Sequence, residues 1–229
     1  MYKEKILVVQ LRQLGDILLT TPILRELRRH YPDAKIAALT HVMGRHILAD
    51  SPFLDEHYTY ATSTSKWQEW RLARQIRAEN FTCTMDFMNN PRSGFYAAMS
   101  RAPRRVAFES RRKLLYTHTT PKQQGYIVEQ KYALLRCMGL QPDTTRHDLT
   151  LPWFEGDSQP VLQLTQNDSA YRNAPLRVIL SPTHRRAPRI WPRESYAAIA
   201  DRLVREWGAY VSWLWGPGEE DYVDQARSY

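Results

Sequence analysis

ILVVQLRQLGDILLTTP, running from Ile6 to Pro22, is the stretch whose reading decides the fold. It opens as an apolar run with β-branched Ile6, Val8 and Val9, breaks at a short polar turn with Gly15, and resumes as a second apolar segment. That is the pattern of a buried strand feeding a helix. In an open α/β sheet, ligands bind outside the carboxyl ends of the strands. The turn Arg12-Gln13-Leu14-Gly15-Asp16 therefore faces a site, and Asp16 is its first ionisable acid. Asp before an apolar segment is also a common helix N-cap, so the residues alone leave capping and catalysis both open for Asp16. Pro22 leaves two choices: a helix that starts near Asp16 and is disturbed at Pro22, or a regular helix with Pro22 in its first turn.

Outward from this stretch, strand and helix alternate. Ile23, Leu24, Leu27 and Tyr31 have helical spacing, and Lys35 to Thr40 is the second strand. A helix over Met43 to Ala49 and a short strand near Tyr58 follow. Trp67, Trp70, Ala73 and Ile76 form a stripe read as core, with Arg71, Arg74 and Arg77 outward. Phe81 to Phe87 is a strand ending near Asp86, followed by a turn and a helix over Arg92 to Ser100. Arg104 to Phe108 reads as one more strand, and Val128 to Met138 as a helix stopped by Gly139. The alternation argues for a parallel sheet with right-handed crossovers. From Leu151 to Pro175 the periodicity is lost and turn residues collect, which reads as an edge strand and a linker. A second start follows, with strands over Leu176 to Leu180 and Ala209 to Trp215, a helix over Glu194 to Trp207, and a final helix after Gly216-Pro217-Gly218. The expected division is a first domain over 1–155, a linker over 156–175 and a partial second domain over 176–229.

Composition excludes several classes. Hydrophobic content of 43% with 7 Trp and 13 Tyr belongs to a folded chain. No apolar run reaches membrane-span length and Met1 to Lys5 lead straight into strand-like sequence, so a cytoplasmic location is expected. Cys83 and Cys137 lack any partner spacing, and neither a disulfide nor zinc is expected. The net charge is +8. Residues 1–120 hold 19 Lys and Arg against 11 Asp and Glu, whereas residues 121–229 hold 13 of each. Within the basic half, Arg92, Arg101, Arg104, Arg105, Arg111, Arg112 and Lys113 stand against Glu109 alone. Such a run is either a solvated face or the footprint of a partner rich in phosphate or carboxylate. Glu219, Glu220 and Asp221 after Gly218 would repel a pyrophosphate, which disfavours a nicotinamide enzyme.

Four segments in order carry a resemblance: LGDILLTTPILRELRRHYPDAKI, then NNPRS with APRRVAF, then RIWPRESY, then LWGPGEE. The chain resembles the ADP-heptose:lipopolysaccharide heptosyltransferases of glycosyltransferase family 9, and the LLTTP wording leans toward the heptosyltransferase III type. The resemblance implies an α/β fold of the GT-B type, a Rossmann-like N-terminal domain plus an incomplete second one, and an inverting transfer with no cofactor and no metal. It implies Asp16 as the base that deprotonates an acceptor hydroxyl. Donor contacts fall to Gly15, Ser181, Thr183, Arg185, Arg186, Arg189, Gly216 and Gly218. Arg189 stands where the family usually has lysine, and its planar fork grips phosphate differently. Acceptor contacts fall to Arg12, Asn90, Arg92, Ser93, Arg104, Arg105, Arg111, Arg112 and Lys113, with Lys66 and Arg45 as weaker choices.

The partners implied are ADP-heptose, the lipopolysaccharide inner core and the cytoplasmic face of the inner membrane. Family members continue into an Asp-Thr-Gly…His segment that helps hold the donor. Nothing after Tyr229 supplies it, so a C-terminally truncated form with weak or no transfer is expected. Two other readings stay open: a non-catalytic module for an anionic glycolipid or nucleic acid, and another GT-B sugar-nucleotide enzyme. No RNA-binding signature supports nucleic acid.

Overall fold

The computed structural model describes residues 4–152, 158–184 and 186–228, with the side chain of Leu164 excepted. The chain divides into two compact units, residues 1–153 and 154–229. In the first, β1 (Lys5–Gln10), α1 (Leu14–Leu18), α2 (Thr21–His30), β2 (Lys35–His41), α3 (Arg45–Leu48), β3 (Glu56–Tyr60), α4 (Lys66–Ala78), β4 (Cys83–Asp86), α5 (Pro91–Ser100), β5 (Arg104–Phe108), β6 (His118–Thr120) and α6 (Ile127–Cys137) follow one another. The six strands form one parallel sheet in the order β3-β2-β1-β4-β5-β6. This is the 3-2-1-4-5-6 order of a doubly wound sheet, and its topological switch point lies between β1 and β4.

Both faces of the sheet are covered, which is why β1 reads as a continuous apolar run. Ile6, Val8, Ile36, Met85 and Val106 pack with Leu24 and Leu27 of α2 and with Val128, Tyr132 and Leu135 of α6. The alternate residues Leu7, Val9, Ala37 and Leu39 pack with Ala73 and Ile76 of α4 and Tyr96 of α5.

The LLTTP sequence becomes a break between two helices. α1 stops at Leu18, and the last carbonyls of a helix have no intrahelical donor. Thr20 Oγ1 donates to the Asp16 carbonyl at 2.8 Å and Thr21 Oγ1 donates to the Leu18 carbonyl at 2.8 Å. Pro22 then sits in the first turn of α2, where its missing N–H is harmless. Both threonines are buried.

Two expectations need correcting. Ala73 and Ile76 are buried, but Trp67 is 67% and Trp70 50% exposed. Trp67 and Ile76 are nine residues apart, two and a half helical turns, and so face opposite ways. Residues 159–173, expected to be linker, instead form α7 (Gln159–Gln166) and α8 (Ser169–Asn173). Turn-forming residues there start helices, Pro160 in the first turn of α7 and Asp168 as the N-cap of α8, where its carboxylate accepts from the Tyr171 N–H at 3.1 Å. β6 went unread because His118-Thr119-Thr120 has no apolar residue. The expected boundary at 155 lies outside the described residues.

The second unit continues with β7 (Arg177–Leu180), α9 (Arg193–Trp207), β8 (Tyr210–Trp213) and α10 (Glu220–Arg227). β7 and β8 pair in parallel across α9, one βαβ unit.

Candidate active site

β1 delivers the loop that decides the site. The N-cap position of α1 is Gln13, without a side-chain cap bond, so Asp16 does not cap the helix. Asp16 lies within α1 and is half-buried. Among the described residues no donor bonds its carboxylate. Its backbone carbonyl takes hydrogen bonds from Thr20 Oγ1 and from Lys131 Nζ at 2.7 Å.

Lys131 is the residue that the sequence reading missed. It rises from α6, is 3% exposed, and also donates to Thr20 Oγ1 at 2.6 Å with Nζ 5.5 Å from the Phe87 ring. A cation at the C-terminal end of α1 complements the helix dipole. Burial pushes the Lys131 ammonium down to about 7, against the opposing pull of the Asp16 carboxylate. A signal was available: Lys131 lies at the i+3 position of the stripe Val128, Tyr132 and Leu135, where a cation has no ordinary place.

Gly15 is exposed, with its φ outside the left-handed range, and a Cβ there would meet no atom within 4 Å. Gly inside a helix is about 0.8–1 kcal/mol less favourable than Ala.

The loop after β4 forms the other side of the switch point. Asp86 is buried and accepts from Tyr116 Oη at 2.6 Å and from the Met88 and Asn89 N–H groups at 2.8 and 3.0 Å. Burial holds its carboxyl above the ordinary range. The turn so fixed presents Asn90, which caps α5 by accepting from the Arg92 and Ser93 N–H groups at 3.0 Å, while Ser93 Oγ accepts from the Asn90 N–H. Leu11, Arg12, Tyr60, Glu69, Asn90, Pro91, Arg92 and Phe95 line a cavity of about 500 Å³. Arg92 lies over the Tyr60 ring at 5.0 Å, and its Nε stands 2.8 Å from Glu69 Oε1. A neutralised guanidinium, a carboxylate, an amide and aromatic walls suit sugar hydroxyls better than a phosphate.

The structure thus brings Arg12, Asn90 and Arg92 together. Asp16, in α1 just after Arg12, does not line this cavity. Ser93 is fully buried inside the α5 cap and has no surface to offer. Arg104 and Arg105 begin β5, at the amino edge of the sheet and away from the site. Arg104 pairs with Glu4 at 2.7 Å, and Arg105 donates to the Leu115 and Ala102 carbonyls. Arg112 donates to the Asn89 carbonyl at 3.1 Å, while Arg111 and Lys113 line a separate shallow cavity with Glu109, Ser110 and Thr119. Arg45 donates to Thr59 Oγ1 at 3.3 Å, and Lys66 is exposed on α4.

In the second unit, loops after β7 and β8 meet through Glu219. Its carboxylate accepts from the Gly216 N–H at 2.9 Å. A hydrogen bond from Thr183, then that from Gly216, hold it below the usual carboxylate range. Thr183 and Gly216 therefore share one acid, while Gly218 adopts a left-handed φ of 82° beside them. Ser181 is exposed at the end of β7. Arg186 precedes and Arg189 ends a 3-10 turn, and both are exposed. Arg185 lies outside the described residues.

The fold is thus two α/β units, a doubly wound first one and a second that opens on another βαβ. The chain belongs to glycosyltransferase family 9, the heptosyltransferases, whose family pattern matches residues 69–228. It is 23% identical over 218 residues to lipopolysaccharide heptosyltransferase 3 of Escherichia coli, covering 90% of this chain and 62% of that protein. It thus spans less than two thirds of that relative's length. Its fold matches the crystal structure of a family 9 glycosyltransferase from Veillonella parvula at a TM-score of 0.82, 20% identity, over 100% of this chain and 67% of that one. E. coli ADP-heptose lps heptosyltransferase II matches at 0.73, with 18% identity over 98% of this chain and 68% of that one. The α/β fold of the GT-B type is the fold that these enzymes share with this chain.

Proposed function

We propose that this chain serves an inverting transfer of heptose from ADP-heptose to an inner-core sugar of lipopolysaccharide. The observation that carries this is Asp16: an acid at the carboxyl edge of β1, its carboxylate unpartnered among the described residues, its backbone held by buried Lys131. An acceptor hydroxyl loses its proton to Asp16 as its oxygen bonds to the anomeric carbon from the face opposite the departing ADP. A carboxylate is a weak base toward a sugar hydroxyl, so the proton moves late, once the oxygen has begun to bond. Charge growing on the leaving diphosphate falls to Arg185, Arg186, Arg189 and the Ser181–Thr183 loop. Arg12, Asn90 and Arg92 receive the acceptor sugar, and Arg111, Arg112 and Lys113 its phosphates. A lipid-linked acceptor puts the enzyme at the cytoplasmic face of the inner membrane.

Titration calorimetry with ADP tests the donor side. Arg189→Ala should lower ADP affinity about tenfold to a hundredfold, the range for a charged hydrogen bond. Unchanged ADP affinity in the variant would remove Arg189 from the donor site. Salt-sensitive oligonucleotide binding with no response to ADP would favour a nucleic-acid module instead.

A further inference from the structure

We propose that the outer face of α4, formed by Trp67, Trp70, Arg71, Arg74 and Arg77, docks onto an anionic phospholipid bilayer. At 100° per residue these five side chains fall within about 120° of the helix circumference, opposite the fully buried Ile76, with the buried Ala73 at the edge of the face next to Arg77. Two tryptophans more than or equal to half exposed, on a helix whose other side is anchored in the core, are not explained by folding. Among the described residues, Arg71, Arg74 and Arg77 form no ion pair with any carboxylate, and Arg71 lies over the Trp67 ring at 5.8 Å.

The charge on this face selects the partner. Neither acid near it is available: Glu69 turns inward to Arg92, and Glu79 bonds Lys35 at 2.8 Å. A face of one sign repels a second copy of itself, because a two-fold interface would set arginine against arginine. Tryptophan prefers the boundary between headgroups and acyl chains, and a basic helix face adds attraction to anionic lipid. A cavity of about 530 Å³ opens on the same face, lined by Trp70, Arg74, Arg77, Ala78, Asn80 and Met99. Two guanidiniums beside a tryptophan and a methionine fit a lipid phosphate with the start of its chains. No described helix is long and apolar enough to cross a membrane, so this face would lie on the surface.

The position also has a use. α4 turns Glu69 into the cavity that holds Arg92, and Trp70 packs on Phe95 of that cavity at 6.4 Å between ring centroids. One helix would thus hold the bilayer on one side and the sugar of a membrane-borne acceptor on the other. Only this last step rests on the functional reading above. The surface itself is tested without donor or acceptor, so a failure of the transferase assignment leaves it standing.

The test is vesicle co-sedimentation of the whole chain with phosphatidylcholine alone and with phosphatidylglycerol added. Binding is expected with phosphatidylglycerol only, to weaken with salt, and to shift tryptophan emission to the blue. Trp67→Ala/Trp70→Ala should abolish it and Trp207→Ala should not, with circular dichroism unchanged in both. Arg74→Gln/Arg77→Gln should weaken binding about twenty-five-fold, since each basic residue near an anionic surface contributes roughly fivefold. Equal binding to neutral vesicles, or full binding by the tryptophan double variant, would overturn the proposal. So would loss of binding in Leu114→Ser instead, which would move the contact to the basic 111–113 segment, where Leu114 is 90% exposed. Displacement by an oligonucleotide at stoichiometric amounts, or a dimer in sedimentation that Trp67→Ala/Trp70→Ala dissolves, would assign the face to another partner.

Discussion

The two units use the same βαβ logic to different depths. In the first, six strands carry helices on both faces, and β1 is buried from Ile6 to Gln10. In the second, two strands bracket α9, and no residue of β7 or β8 is buried. Ile179, Ile199, Val204 and Trp207 are exposed there, while Val223 and Ala226 of α10 are buried. A helix stripe is a potential core, and it becomes one only where sheet exists to receive it. The same contrast separates the loops. Those after β1 and β4 are tied by buried groups, Lys131 and Asp86, whereas those after β7 and β8 meet through the more accessible Glu219.

The contrast breaks most sharply under core truncation. Leu24→Ala should destabilise the first unit by about 2–5 kcal/mol in urea titration, and Ile199→Ala the second by under about 1 kcal/mol. Equal losses would mean that the second unit is as well packed as the first.

Lys131 sharpens it next. With its folded pKa near 7, below the ordinary lysine value of 10.5, the unfolded chain binds a proton between these limits that the folded chain does not. Stability of the first unit should therefore rise with pH across that window, by up to about 1.4 kcal/mol per pH unit. Lys131→Met should flatten the profile and be more stable than wild type at pH 7. A wild-type profile already flat between pH 7 and 10 would show the ammonium to be solvated.

Smaller effects separate the loops. Asn90→Ala should lower stability by about 1 kcal/mol through loss of the α5 cap, while Glu219→Gln leaves the melting temperature unchanged. Gly15→Ala should have the smallest effect on folding, a gain of about 0.5–1 kcal/mol, together with loss of transfer. Retained transfer would show that the space over Gly15 is not used.

Much of this was legible in sequence for a physical reason. β1 and β2 are buried on both faces and read as apolar runs. The turns after β1 and β4, with Arg12, Asn90 and Arg92, fall where a parallel sheet must place a site. What sequence could not show depends on tertiary partners. Charge counting made Arg104 and Arg105 candidates, but a strand places its first residues at the amino edge, and Glu4 takes up Arg104. Ser93 looked available until it closed a capping box. Trp67 and Trp70 counted as core because a three-residue spacing drifts around the helix, so that Trp67 ends up facing away from the buried Ile76. Lys131 is 115 residues from Asp16 in sequence, and only the packing of α6 against the end of α1 joins them.

The most direct test of the site is Asp16→Asn in the protein as the cell makes it, followed by heptose transfer from ADP-heptose with ADP binding measured alongside. The amide keeps the shape of Asp16 and the carbonyl held by Lys131 but removes the base. Transfer should fall by about 10² to 10⁴ with ADP affinity unchanged. Transfer within a few-fold of wild type would contradict the assignment of Asp16 as the base.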